Sequence, residues 1–139
     1  MPGHTVTVSE SGPYTRTVDV GPHRLIADEP EPIGSDLGPT PVELLLAALG
    51  ACTSMTVRMY AERKGWDLSG VAVSARMNYR NGPRGQIVKR VEISGDLDGE
   101  QINRLATIAE HCPVQRMLGD CVHVDTRIVA RPASTAATA

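Results

Sequence analysis

Apolar and polar residues alternate along three short stretches at the start of the chain and then recur at helical spacing. That change of period divides the sequence. In His4-Thr5-Val6-Thr7-Val8-Ser9 and Tyr14-Thr15-Arg16-Thr17-Val18-Asp19-Val20 the valines fall on every second position, as in half-buried strands, and Ser11-Gly12-Pro13 supplies the turn between them. Gly21-Pro22 turns the chain again into Arg24-Leu25-Ile26-Ala27, which completes a predicted N-terminal meander. From Asp28 to Gly38 proline, glycine and acidic residues dominate, so this segment reads as a loop. Thr40 is then placed to cap a helix, Pro41 suits its first position, and Glu43 completes a capping box. The helix is expected to run to about Lys64, where Gly65 stops it, giving about 24 residues and roughly 36 Å. Leu45, Ala48, Leu49, Cys52, Met55, Thr56 and Met59 share one face at helical spacing, which aims Cys52 at an apolar environment.

Strand alternation returns in Val71–Tyr79, Asn81–Gly85 turns, and Gln86–Leu97 pairs back. Asp98, with Gln101 three residues on, caps a second helix whose buried face is Ile102, Leu105, Ile108 and Ala109. Pro113 opens a short helical turn that ends at Gly119. A last strand follows in which Val122, Val124, Thr126 and Ile128 alternate with His123, Asp125 and Arg127. The order β-β-β-α-β-β-α-α-β implies an α+β fold, with residues 1–130 forming one domain and residues 131–139 a disordered tail of small residues.

Composition narrows the function classes. A net charge of −2 and scattered basic residues give no footprint for nucleic acid or for an anionic membrane. Only 3% of the residues are aromatic and none is Phe, so the core is built from aliphatic side chains and is suited to being shared across a subunit boundary. The N-terminus lacks a charged-then-apolar secretion pattern, and the apolar runs read as too short to span a bilayer. The expectation is a cytoplasmic protein whose three cysteines serve catalysis, metal binding or burial rather than a disulfide framework.

A thiol reacts as thiolate, which needs a cation, a metal or a helix N-terminus nearby. Cys52 lies roughly 18 Å along the helix from Thr40, too far for the helix end to act on it. Cys112, directly before Pro113, sits at an N-cap position, so local physics alone favours it as the reactive thiol and leaves Cys52 as a small buried hydrophobe. If Cys52 reacts, its activating cation is Arg16 or Arg24, because Arg58 and Arg63 lie a turn or more away on its own helix. Glu43 is already accounted for by capping. Cys112, Cys121, His111 and His123 carry zinc-type ligands, but their spacing follows no regular zinc pattern, and no bound metal or cofactor is expected.

Two motifs in order, Gly38-Pro39-Thr40-Pro41-Val42-Glu43-Leu44-Leu45-Leu46-Ala47-Ala48-Leu49-Gly50-Ala51-Cys52-Thr53 and Glu110-His111-Cys112-Pro113-Val114, resemble the OsmC family of osmotically inducible and organic hydroperoxide resistance proteins. His23–Pro30 and Met59–Trp66 are similar to one OsmC-like branch, and the likeness extends to about Arg127. The resemblance implies an intertwined homodimer with antiparallel sheets around two central long helices and active sites at the subunit boundary. It further implies a cysteine peroxidase that reduces organic hydroperoxides in oxidative-stress defence. Cys52 would attack the peroxide and Cys112 would resolve the sulfenic acid as a disulfide. An N-terminal arginine, placed at Arg16 with Arg24 as the alternative, would activate Cys52, and an external dithiol, often a lipoyl group, would reset the pair. In the hydroperoxide resistance subgroup the acid that orients this arginine directly follows the proline, whereas here that position is Val42 and the acid is Glu43, a rotation of about 100° on the helix. The branch also commonly carries a basic residue where this chain has Gln115. The competing expectation is a non-catalytic module on the same fold that binds a small apolar ligand or senses redox state at the dimer interface, with Cys52 inert.

Overall fold

A computed structural model of the chain describes residues 3–80 and 82–133. The nine predicted elements appear in the predicted order: β1 (Val6–Glu10), β2 (Arg16–Val20), β3 (His23–Ala27), α1 (Pro41–Lys64), β4 (Asp67–Asn78), β5 (Gln86–Asp96), α2 (Gly99–Ala109), α3 (Pro113–Leu118) and β6 (His123–Arg131). The chain divides into two compact units at the start of α1, after Leu45.

In the first unit β1, β2 and β3 form an antiparallel meander that sets Val18 opposite both Val8 and Leu25. Buried Asp28 ties the following loop together. It accepts from the Thr15 hydroxyl at 2.8 Å, from the Glu29 amide at 2.8 Å and from the Leu37 amide at 3.4 Å.

In the second unit β5 is central, antiparallel to β4 and parallel to β6. The sheet is therefore mixed where an antiparallel one was expected. A parallel partner requires a crossover of a dozen or more residues, and α2 with α3 supplies it. Asp98 caps α2 through the full capping box with Gln101. Leu105 and Ala109 of α2 pack with Val57, Tyr60 and Ala61 of α1, Leu68 of β4 and Val91 and Ile93 of β5 in the main core. A second, smaller cluster holds Leu49, Ile87 and Cys112.

The long helix corrects two expectations. Its buried residues are Leu49, Thr53, Val57, Tyr60 and Ala61, a stripe turned away from the predicted one, while Met55 and Met59 are 63% and 67% exposed. The helix is apolar almost all the way round its first half, so periodicity could not select the face that meets the sheet. It is also long and apolar enough, with a mean hydropathy of 1.4, to meet the criterion for crossing a membrane, contrary to the reading of short apolar runs. Leu49, Val57 and Ala61 pack within the second unit's core, but only 17% of the helix's apolar stretch is buried. Gly65, at φ 68°, ends the helix as predicted. At the other end of the chain, Arg131 of the expected tail closes β6, and residues 134–139 lie outside the described residues.

The β4–β5 pairing is irregular at Leu68/Gly70, opposite Ser94 and Gly95. Gly95 has φ 150°, and a Cβ there would run into the Asp67 carbonyl oxygen. Gly95→Ala is therefore expected to lower stability by about 2–4 kcal/mol, from backbone strain added to overpacking, measured as a reduced midpoint in urea unfolding. An unchanged midpoint would show that the bulge tolerates a side chain.

Candidate active site

β5 points Ile87, Lys89, Val91 and Ile93 to one side of the sheet, and all four are buried. A lysine in that row carries the strongest chemical demand in the unit. Its ammonium has three N–H donors and no acceptor, and burial without partners would be costly. The Lys89 Nζ donates to the Thr53 Oγ1 of α1 at 3.1 Å, to the Ala109 carbonyl at 2.7 Å and to the Gln115 Oε1 of α3. Ala109 ends α2, where carbonyls lack helical partners and the helix dipole is negative. Three acceptors from three helices thus match three donors. Burial pushes the Lys89 ammonium below the usual lysine range, and negative charge on Cys112, Glu110 and Cys52 acts to hold it up.

Cys112 is fully buried at the N-cap of α3, with Pro113 at the first helical position. Its Sγ lies 3.5 Å from the Thr53 Oγ1. Burial pushes its thiol up, but hydrogen bonds from Thr53, the Gln115 amide and Cys52, together with the charge of Lys89, bring it below the ordinary thiol value. This agrees with the local reading that favoured Cys112 for ionisation.

Cys52, one residue before Thr53, sits at the edge of the buried stripe and is half-buried. Its side chain packs on the Leu49–Ile87–Cys112 cluster along with Leu46 and Met77. The fold therefore brings the two sulfurs together, one reachable and one enclosed, and both are free thiols.

The other residues singled out in the sequence have different surroundings. Glu43 accepts from the Thr40 amide at 2.9 Å while its own amide donates to the Thr40 hydroxyl at 3.2 Å, the capping box as predicted. The Thr40 amide and side chain hold its carboxyl below the usual range. In the N-terminal sheet Arg16 donates to the carbonyls of Gly12, Pro13 and Thr15 and pairs with Glu10 at 3.4 Å. Arg24 is locked to Asp19 by two hydrogen bonds, of 2.7 and 3.2 Å. Cys121, His111 and His123 are exposed, and among the described residues no three His, Cys, Asp or Glu side chains are gathered to hold a metal ion.

Lys89 and Thr53 were missed in the sequence. The signal was present: the alternation Ile87-Lys89-Val91-Ile93 places a lysine on the apolar side of a strand.

Comparison with solved structures supports the same architecture. An OsmC-like protein from Mycoplasma pneumoniae matches with a TM-score of 0.79 at 16% identity, over 93% of this chain and 97% of its own. An organic hydroperoxide resistance protein from Elizabethkingia anophelis matches with a TM-score of 0.72 at 16% identity, over 92% and 97%. One from Legionella pneumophila matches with a TM-score of 0.66 at 19% identity, over 90% and 96%. At these identities the likeness is one of fold. No curated protein matches the sequence. The family model for OsmC-like protein matches residues 34–127, more than half of the chain and both cysteine motifs, and the chain belongs to the OsmC-like family.

Proposed function

We propose that the protein is a thiol peroxidase that reduces organic hydroperoxides. The observation that carries this reading is the pairing of a reachable Cys52 with an enclosed Cys112 in one cluster. The Cys52 thiolate attacks the terminal peroxide oxygen. The O–O bond breaks, the departing alkoxide takes a proton to become the alcohol, and Cys52 is left as a sulfenic acid. The Cys112 thiolate then attacks the Cys52 sulfur, the S–O bond breaks, hydroxide leaves and is protonated to water, and a disulfide remains. An external dithiol returns both thiols and is itself oxidised to a disulfide. Leu46, Leu49 and Met77 around the pair favour alkyl peroxides over hydrogen peroxide.

Arg16 is the proposed activating guanidinium, and Glu43, engaged in its cap with Thr40, is assigned no part in orienting it. The Arg16 side chain is 31% exposed, whereas that of Arg24 is 68% exposed and committed to Asp19. The working form is proposed to be a cytoplasmic homodimer. The exposed Met55 and Met59 give α1 an apolar face that a second copy of the chain would cover.

Treatment of the reduced protein with one equivalent of cumene hydroperoxide should give a Cys52–Cys112 disulfide on peptide mapping and leave Cys121 free. Cys52→Ser should lower peroxide consumption roughly a thousandfold or more, whereas Cys112→Ala should keep a first stoichiometric turnover and lose the disulfide. A Cys52 thiol that survives the peroxide would end the reading. For the dimer, light scattering should give twice the chain mass for the native protein and the single mass for Met55→Glu/Met59→Glu. A native protein that runs as a monomer would refute that assembly.

A further inference from the structure

The buried polar chain behind the thiol pair has a direction. Thr53 owns one hydroxyl proton, and it goes to the Leu49 carbonyl at 2.8 Å. The lone pairs of Thr53 Oγ1 therefore face the Lys89 Nζ at 3.1 Å and the Cys112 Sγ at 3.5 Å. With that hydroxyl already committed, a Cys112 thiol donates to it. A Cys112 thiolate has no proton to donate and needs one instead, which the same hydroxyl provides by rotating about its C–O bond from Leu49 to the sulfur. The oxygen still accepts from Lys89 after that rotation, so the ammonium polarises the O–H that faces the sulfur. One rotor thus has two settings, matched to the two charge states of Cys112.

We propose that Lys89, acting through the Thr53 hydroxyl, is the positioning residue that keeps Cys112 ionised and so makes it the resolving thiol of the pair. The proposal rests on the peroxidase reading for its use, but the ionisation itself does not depend on peroxide. In the resolving step the new bond is Cys112 Sγ to Cys52 Sγ and the broken bond is Cys52 Sγ to oxygen, so the sulfur that must carry the electron pair is the one beside the relay. Speeding that step limits the time Cys52 spends as a sulfenic acid open to a second peroxide.

The charged and titratable groups around Cys112 are few. α1 brings Cys52 and Thr53, β5 brings Lys89, and Glu110, the residue that caps α2, acts on Lys89. α3 contributes the Gln115 amide to Cys112 and the Gln115 side chain to Lys89. The remaining neighbours, such as Met77 of β4, Val114 of α3 and Val124 of β6, are apolar. Lys89 is therefore the one cation of this cluster among the described residues, and fully buried, where solvent screening is weak.

The test titrates Cys112 alone, by thiolate ultraviolet absorbance in a Cys52→Ser/Cys121→Ser background. Adding Lys89→Met, which keeps the length of the side chain and removes the charge, should raise the midpoint by about one pH unit or more, and Thr53→Val should raise it by a smaller amount. Midpoints unchanged in both variants would overturn the proposal. If Lys89→Met does not fold, Thr53→Val decides alone, because it preserves shape and charge count. A raised midpoint in this background, together with a native protein that consumes no peroxide, would uphold the relay and refute the peroxidase reading, so the two fail separately.

Discussion

A lysine ammonium with no access to water has to find three acceptors, and in this protein that requirement fixes how three helices meet one strand. Lys89 comes from the middle of the second sheet and takes a threonine hydroxyl from α1, the terminal carbonyl of α2 and a glutamine side chain from α3. Removing any one of these acceptors leaves a buried charge with an unused donor, a loss on the order of 1–3 kcal/mol or more. The geometry also argues for the charged form. A neutral amine has two N–H groups and would leave one of the three acceptors unserved. Cys112 is held between Pro113 and this network, so the cation that organises the packing is linked to the Cys112 sulfur through one hydroxyl.

The two cysteines differ in burial. Cys112 is enclosed, hydrogen-bonded and close to the cation, conditions that favour a thiolate but keep large reactants away. Cys52 is half-buried and packs on the rim of the same cluster along with Leu46 and Met77. Local propensity favours Cys112 for ionisation and the family resemblance names Cys52 as the nucleophile. The two readings are compatible if one thiol meets the oxidant and the other supplies the electron pair that closes the disulfide.

Much of the fold was legible because short-range chemistry specifies it. The capping boxes at Thr40–Glu43 and Asp98–Gln101, the stop at Gly65 and the alternating strands are each determined by residues a few positions apart. The buried face of α1 was not legible, because a helix with Leu44, Leu45, Leu46, Ala47 and Ala48 in succession offers several equivalent faces. Nor was the parallel pairing of β5 with β6, which depends on the route of the crossover rather than on strand pattern. At the candidate site, both cysteines were singled out from their motifs, whereas Lys89 was passed over because lysines are ordinarily solvent-facing, and only its register beside Ile87 and Val91 marks it as different. Glu43 illustrates the converse, a residue whose local role as a cap is complete and is fully realised.

The claim on which this account turns is that Lys89 is an ammonium at neutral pH despite its burial. Nitrogen-detected nuclear magnetic resonance of the lysine side chains, with Lys89 assigned by comparison with Lys89→Met, measures that charge directly. The account predicts a slowly exchanging NH3+ signal for Lys89 at pH 7, protected by its three acceptors. A neutral NH2 resonance, or one exchanging as fast as that of exposed Lys64, would contradict it.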